Sequence, residues 1–225
     1  MQHYLIIADG EFLSTDLILQ ATQNHIIIAL DGAADRLAAI RIQPNIILGD
    51  FDTINPGPWG IQKTFSEMTD SDQPYLNSDN ILIIPAKNQQ YTDLQKAIHY
   101  CDQHQAASIT IICAMGGRLD HQEGNLRNLR LAYRADRPIH LHTETETIHF
   151  AKDETLTFKG NPGDKCAIMA FPGGFFTSLG LTYEGQRFPL IFSQSESTCN
   201  SFKAPNVTIM VEGEALLIMP NQLKT

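Results

Sequence analysis

The sequence has few cysteines, little positive charge and no long apolar run, and each shortage excludes a class of protein. Its four cysteines are widely spaced and form no C-x-x-C pair, so neither a zinc site nor a redox motif is expected. Cys101 and Cys113 are expected to be reduced core residues. No 18-residue apolar stretch is present and the first residues carry no basic region. The sequence therefore predicts a soluble, cytoplasmic protein without membrane contact.

The chain has 16 lysines and arginines but 25 aspartates and glutamates, which gives a formal net charge of −9. Nucleic-acid-binding proteins usually show a basic patch, so a nucleic-acid partner is not expected. A phosphate ligand is still compatible with this charge, because bound Mg²⁺ can reverse the local sign. The chain has 225 residues, of which 43% are hydrophobic and 18% charged, which suits one large domain or two small ones.

The two parts of the chain have different hydrophobic patterns. In residues 1–137, apolar β-branched runs alternate with helical patterns, which predicts a parallel, Rossmann-like α/β domain. The expected strands are 4–8, 26–30, 46–48, 81–84 and 109–113. Residues 55–80 are polar and proline-containing, and we expect a mobile excursion or a partly helical insertion there.

Residues 138–225 show short alternating runs separated by glycine and proline, which predicts an all-β sandwich or barrel. The expected strands are 147–151, 155–158, 166–171, 188–192, 207–211 and 215–219. Glu212-Gly213-Glu214 is expected to be the hairpin turn between the last two. The domain boundary is expected within 136–145.

Aspartates follow the ends of the predicted strands in the first part of the chain. They are Asp31, Asp50, Asp52, Asp93, which opens the next helix, and Asp120. Because the carboxyl ends of parallel strands lie on one edge of a sheet, here called the rim, these acids should meet there. Asp50 and Asp52 should project the same way from an extended backbone. A single aspartate at a strand end is ordinary, but this series predicts Mg²⁺ bound beside substrate phosphates.

Two predicted helix starts carry polar motifs. Thr92-Asp93-Leu94-Gln95 fits a capping box, with Thr92 as N-cap and Asp93 as the first helical residue, and capping alone explains it. Asp120 is expected to cap the next helix. It follows Gly116-Gly117-Arg118, where the glycines free backbone N–H groups for a phosphate and Arg118 adds a cation. This second motif predicts a phosphate loop, although it lacks the ending of a Walker A motif.

Other polar residues are less specific. Small residues after Asp31, beginning at Gly32, suit either a close ligand or tight helix packing. Gln89 lies in the loop before the Thr92 helix, on the expected rim. His121 is more often structural or phosphate-adjacent than catalytic at such a position. Ser197-Thr198-Cys199-Asn200 is expected from its composition to be a simple polar loop.

Together these motifs resemble the thiamine pyrophosphokinase family. The matching segments follow the family's order over nearly the whole chain. They are Asp31-Gly32-Ala33-Ala34, Leu48-Gly49-Asp50-Phe51-Asp52, Thr92-Asp93-Leu94, Gly116-Gly117-Arg118-Leu119-Asp120-His121 with Asn125, and Ser197-Thr198-Cys199-Asn200.

The resemblance implies transfer of pyrophosphate from ATP to the hydroxyl of thiamine, with release of AMP. It implies an ATP- and Mg²⁺-binding domain at 1–137, a thiamine-binding and dimerisation β-sandwich at 138–225, and a homodimer with sites shared between chains. Its metal and catalytic residues would be Asp50, Asp52, Asp93 and Asp120. Its ATP and phosphate contacts would be Asp31, Gly32, Gln89, Thr92, Gly117, Arg118, His121 and Asn125. Its contacts to the aminopyrimidine of thiamine would be Ser197 and Asn200.

Three positions depart from the family pattern. Asp35 stands where asparagine is frequent, Asn88 replaces a frequent acid, and Cys199 replaces a frequent serine. Two rival functions remain: a hydroxymethylpterin pyrophosphokinase of the same superfamily, and a non-catalytic thiamine- or nucleotide-binding protein. Ser197 and Asn200 favour thiamine, and the many carboxylates favour catalysis. Whether Asp93 or Asp120 accepts the hydroxyl proton is left open.

Overall fold

The protein is of mixed α/β class and divides into two compact units. The computed structural model describes residues 2–63, 66–69 and 72–224. The first unit ends at Ile139 and the second begins at His140. Within the described ranges, no helix is both long enough and apolar enough to cross a membrane.

The first unit is built on a parallel sheet. Its strands are β1 (His3–Ile7), β2 (Ile26–Leu30), β3 (Ile46–Gly49), β4 (Tyr75–Leu76), β5 (Leu82–Pro85) and β6 (Ser108–Ile112). They lie in the order β6-β1-β2-β3-β5-β4, all parallel except β4, which pairs antiparallel with β5 at the edge. Leu5 and Ile6 point to opposite faces, yet both are fully buried, so the sheet is covered on both sides. The five predicted strands are confirmed.

Helices connect these strands. They are α1 (Thr15–Thr22), α2 (Ala33–Ala39), α3 (Pro56–Trp59), α4 (Asp93–Gln103) and α5 (Leu119–Ala132). Helix α4 buries Leu94, Ala97, Ile98 and Cys101, the apolar stripe that its sequence predicts. The predicted insertion at 55–80 contains the one-turn helix α3 and the short strand β4. Positions 64, 65, 70 and 71 of that prediction lie outside the described residues.

The second unit consists of antiparallel strands. They are β7 (Ile139–His142), β8 (Glu146–Lys152), β9 (Thr155–Lys159), β10 (Lys165–Leu179), β11 (Phe188–Ile191), β12 (Ser197–Ser201) and β13 (Asn206–Pro220). The long strands β10 and β13 pair with each other. Strands β12 and β11 add to successive parts of β10, and β9 and β8 to successive parts of β13. Their inward side chains, including Phe158, Ile168, Phe176, Phe202 and Leu217, form one apolar core.

The predicted hairpin at Glu212-Gly213-Glu214 is wrong, because β13 runs through it without turning. Gly213 has φ +96°, and a Cβ there would lie 2.6 Å from the carbonyl oxygen of Gly173 on β10. Its N–H donates to Asp153 Oδ1 at 2.7 Å. The glycine therefore marks a close approach of two strands rather than a turn.

Three histidines lie together on the β7–β8 pair. His140 is opposite His149 in the register, with ring centroids 4.2 Å apart, and His142 accepts or donates a hydrogen bond with Thr147. His149 Nε2 is buried, and within the described part of the chain it has no hydrogen-bond partner. Burial lowers the pKa of His140 to about 4 and holds the pKa of His149 well below its ordinary value.

These histidines predict a loss of stability in acid. Their neutral forms are favoured in the fold, so their contribution is complete above the unfolded pKa of about 6.5 and declines as pH falls toward 4. For His140 this amounts to about 2 kcal/mol between pH 7 and 4.5. Urea unfolding at both pH values should show a smaller acid loss for His140→Gln than for the wild type. His99→Gln, at an exposed position of α4, is the control. Equal acid losses in all three proteins would contradict the assignment.

Candidate active site

Three aspartates from separate elements meet at the rim. Asp31 follows β2, Asp50 follows β3, and Asp93 is the first residue of α4. One carboxylate oxygen from each lies within 4.8 Å of those of the other two. The parallel sheet therefore delivers acids far apart in sequence to one place, as the strand-end pattern indicates.

Asp31 is the most buried member of this cluster. Its Oδ2 accepts hydrogen bonds from the Thr53 hydroxyl at 2.6 Å and the Thr53 N–H at 3.2 Å. Its Oδ1 is buried and has no hydrogen-bond partner among the residues that the structure describes. The pKa of Asp31 is raised to about 7, chiefly by burial and also by the carboxyl of Asp52, although the hydrogen bonds from Thr53 lower it. A cation bound here would stabilise the charged form of Asp31, which burial and the neighbouring acids disfavour, and its buried Oδ1 could serve as a ligand atom.

The turn between Asp50 and Asp52 is not extended, so the expected geometry of this pair is wrong. Phe51 has φ +61° and a buried side chain. Asp50 nevertheless reaches Asp31 and Asp93, and Asp52 interacts with the same two carboxyls. The pair thus faces the cluster from a left-handed turn, a conformation that costs a non-glycine residue energy.

The start of α4 holds Asp93 as the sequence predicts. Thr92 is the N-cap, and its capping box with Gln95 is complete, which confirms that prediction. Lys96 donates to Asp93 Oδ1 at 2.9 Å and to the Ala86 carbonyl at 2.6 Å. Burial raises the pKa of Asp93, Lys96 lowers it, and Asp50 and Asp52 raise it. Lys96 therefore favours the charged form of Asp93, whereas burial and the two nearby carboxylates disfavour it.

Two further rim residues adjoin this cluster. Gln89 donates from Nε2 to Asp50 Oδ2 at 2.6 Å, so its loop does reach the acids. Gly32 precedes α2, and a Cβ there would lie 2.6 Å from Asp9 Oδ2 and 3.1 Å from the Thr53 hydroxyl. The close neighbours of Gly32 are therefore the side chains of Asp9 and Thr53, which leave no room for a side chain at this position.

The glycine-rich loop before α5 keeps its arginine and acid paired. Gly116 and Gly117 both have positive φ, +80° and +72°. Arg118 is the N-cap of α5, so the prediction that Asp120 is the N-cap is wrong, because Leu119 is already helical. Arg118 donates to both oxygens of Asp120, at 2.6 and 3.1 Å, and both side chains are exposed. This arginine lowers the pKa of Asp120.

Asp120 is not among the three aspartates whose oxygens come within 4.8 Å of one another in the described part of the chain. Two neighbours on α5 have local contacts: the N–H of His121 donates to Asp120, and Asn125 Nδ2 donates to the Ala114 carbonyl at 2.6 Å. The metal role of Asp120 and the phosphate roles of His121 and Asn125 stay predictions.

In the second unit, Ser197 and Asn200 lie on strand β12 rather than in a simple loop, which corrects that expectation. Asn200 is fully buried. Its Oδ1 accepts from the Tyr183 N–H, and its Nδ2 donates to the Tyr183 carbonyl at 2.7 Å and to Ser197 Oγ at 2.9 Å. The side chain of Tyr183 is 71% exposed. Asn200 therefore holds a backbone segment in place and presents an aromatic ring and a hydroxyl.

The sequence of the first unit matches a known family. Residues 19–141, more than half of the chain, match the model described as thiamin pyrophosphokinase, catalytic domain. The chain belongs to this family.

Curated relatives of the thiamin pyrophosphokinase family are distant. The rice (Oryza sativa subsp. japonica) protein named thiamine pyrophosphokinase 2 is 27% identical over 188 residues, covering 78% of this chain and 65% of the rice protein. The chain thus spans just under two thirds of that relative. The Caenorhabditis elegans protein named thiamin pyrophosphokinase 1 is 24% identical over 195 residues, covering 80% of this chain and 72% of its own length.

Solved structures of the thiamin pyrophosphokinase family share the fold. The Bacillus subtilis thiamine pyrophosphokinase superposes with a TM-score of 0.79 at 20% identity, covering 97% of this chain and 99% of its own. The yeast thiamin pyrophosphokinase gives a TM-score of 0.79 at 16% identity, covering 99% and 87%.

Two residues beside the aspartate cluster, Asp9 and Lys96, are not among the predicted site residues. Asp9 follows β1, touches the Gly32 position and pairs with Arg36 at 3.3 Å. It obeys the same strand-end rule as Asp31, so the sequence did contain its signal. Lys96 has no such signal, because a lysine on an amphipathic helix is usually solvated.

Proposed function

We propose that this protein is a thiamine pyrophosphokinase, which transfers pyrophosphate from ATP to the hydroxyl of thiamine and releases AMP. The observation that carries the proposal is the meeting of Asp31, Asp50 and Asp93 in a chain of this family. Acids at the rim of a parallel sheet suit a metal–polyphosphate substrate, because such sheets bind ligands there.

The donor set fits Mg²⁺. All its ligand atoms are carboxylate oxygens, and Asp31 Oδ1 is buried with no hydrogen-bond partner in the described ranges. Asp31, Asp50 and Asp93 would hold the ion, with Asp52 adjacent; Asp120 joins them only if its pair with Arg118 opens. When bound, the ion supplies neutralisation of the charge on the polyphosphate oxygens.

The remaining chemistry belongs to the chain itself. The thiamine hydroxyl attacks the β-phosphorus in line, and the α-phosphate leaves as part of AMP. Arg118 leaves its pair with Asp120 and binds the polyphosphate oxygens. The N–H of Gly117 approaches the same oxygens. Gln89 orients Asp50. Asp93 and Asp120 are the two candidates for accepting the hydroxyl proton.

Thiamine is proposed to bind at β12 of the second unit. Ser197 Oγ and the exposed ring of Tyr183 offer a hydrogen bond and a stacking face to the aminopyrimidine. Asn200 acts by holding both, because each of its polar atoms already has a partner. We further propose a Rossmann-like domain followed by a β-sandwich, divided near residue 138, and a cytoplasmic homodimer whose sites are shared between chains.

The test is to incubate the purified protein with ATP, Mg²⁺ and thiamine and to separate the products. We expect AMP and thiamine diphosphate in equal amounts, and neither product after chelation of the metal. ADP with thiamine monophosphate would indicate a simple kinase and overturn the pyrophosphoryl assignment. Turnover with a hydroxymethylpterin in place of thiamine would favour the pterin alternative. Binding of thiamine or ATP without product would favour a sensor.

A further inference from the structure

The segment that carries Asp50 and Asp52 is tied to the start of α2 at two points. The first is the pair of hydrogen bonds from Thr53 to Asp31. The second lies one helical turn further along, at Asp35. Its Oδ2 accepts from the Asn55 N–H at 2.7 Å, and its Oδ1 accepts from Trp59 Nε1 at 2.7 Å. Both oxygens of one carboxylate thus hold the chain just beyond the acid pair.

The contacts of Asp35 lie just beyond the strained turn at Phe51. Phe51 has φ +61° between the two acids, a conformation that costs a non-glycine residue energy and persists only where its surroundings impose it. Trp59 is 7% exposed, so it is a fixed anchor rather than a mobile side chain. The two hydrogen bonds that Asp35 accepts hold the chain just beyond Phe51 and so oppose this strain.

Only a carboxylate can make this tie. The Asn55 N–H and Trp59 Nε1 are both donors, so the side chain between them needs two acceptor atoms. Asparagine offers one acceptor oxygen and an NH₂ group that would face a donor. The aspartate at position 35, where the family often has asparagine, matches the two donors of this chain.

We propose that Asp35 is a positioning residue for the metal-binding turn. Through Asn55 and Trp59 it holds Asp50 and Asp52 in the geometry in which their carboxyls face Asp31 and Asp93. The inference rests on the proposed function for its kinetic test, but its metal-binding test does not require turnover.

The test compares Asp35→Asn with the wild type and with Asp16→Asn, which changes an exposed acid in the first turn of α1. Mn²⁺ serves as the probe, because carboxylates bind it as they bind Mg²⁺. Free Mn²⁺, measured by electron paramagnetic resonance, should show about tenfold weaker binding in Asp35→Asn, equal to about 1.4 kcal/mol. The KM for Mg-ATP should rise by a similar factor while kcat changes less. Asp16→Asn should match the wild type.

The fluorescence of Trp59, the only tryptophan of the chain, monitors the tie directly. Its emission wavelength should change in Asp35→Asn, because the indole N–H no longer donates to a carboxylate oxygen. If that emission shifts while Mn²⁺ affinity and the KM for Mg-ATP stay at wild-type values, the tie is only structural and the proposal is overturned.

Trp59→Phe provides a second variant in case Asp35→Asn does not fold. It keeps a buried ring and the Asn55 bond but removes the Nε1 bond, so we expect weaker Mn²⁺ binding with a smaller change than in Asp35→Asn. Wild-type Mn²⁺ affinity in a folded Trp59→Phe protein would contradict the contribution of Trp59.

The wild type itself separates failure of this inference from failure of the proposed function. Mn²⁺ binding by a wild type without thiamine turnover would refute the proposed function and leave this inference standing. A wild type that binds no Mn²⁺ would overturn this inference.

Discussion

Asp50→Asn is expected to lower the rate of AMP formation by about 10³-fold or more at saturating Mg²⁺. Asp50 is the member of the acid pair whose oxygen lies within 4.8 Å of those of Asp31 and Asp93. An amide cannot replace its charge, and one of its two polar atoms would be a donor facing the cation. Asp52→Asn should also be severe, because Asp52 contributes charge to the same cluster.

The fold should tolerate this change. Asp50 is one of the acids that raise the pKa of Asp93, so replacing it with a neutral residue relieves repulsion at Asp93. The free energy of unfolding without metal should therefore stay constant or rise, as measured by urea denaturation in a chelating buffer. Asp136→Asn, at an exposed turn of the same unit, is the control for activity. Near-normal turnover in Asp50→Asn and Asp52→Asn would show that both are ordinary turn residues.

Mixing two inactive variants should restore activity if sites are shared between chains of a homodimer. Asp52→Asn inactivates the first unit, and Asn200→Ala inactivates the second by releasing Tyr183 and Ser197. After random exchange of equal amounts, half of the dimers are mixed, and each mixed dimer holds one intact site of two. About one quarter of the wild-type activity is then expected.

The design needs two controls. Asn200 is fully buried, so Asn200→Ala must be shown to fold by circular dichroism; the exposed Tyr183→Ala is the alternative second-unit variant. Mixing Asp52→Asn with the double variant Asp52→Asn/Asn200→Ala should restore nothing, because no intact first unit is present. No recovery in the main experiment, despite exchange proven by mass spectrometry, would mean that each site is built within one chain.

The positions that the sequence predicted well are those fixed by a repeating rule. Parallel strands place their carboxyl ends together, so Asp31, Asp50 and Asp93 could be assigned to one rim from strand ends alone. The capping box of Thr92 is equally local, because its partner lies three residues away. Asp9 follows β1 by the same rule, although the predicted site did not include it.

The predictions that failed depended on distant partners. Glu212-Gly213-Glu214 has the composition of a hairpin turn, but pairing of β13 with β8, β9 and β10 keeps the strand straight through it. Ser197–Ser201 has the composition of a loop, and it becomes a strand because it pairs with β10. The left-handed turn at Phe51 has no sequence signal, since β-region backbone is the default for such a residue.

The sequence by itself determined the family, the parallel sheet of the first unit and the aspartates at its rim, because hydrophobic period and strand-end chemistry act over a few residues. The tertiary structure alone decided how those acids are used. It buried Asp31, which raises its pKa to about 7, and it buried Asn200 against the backbone of Tyr183. Burial depends on which segments pack together, and local sequence does not specify that.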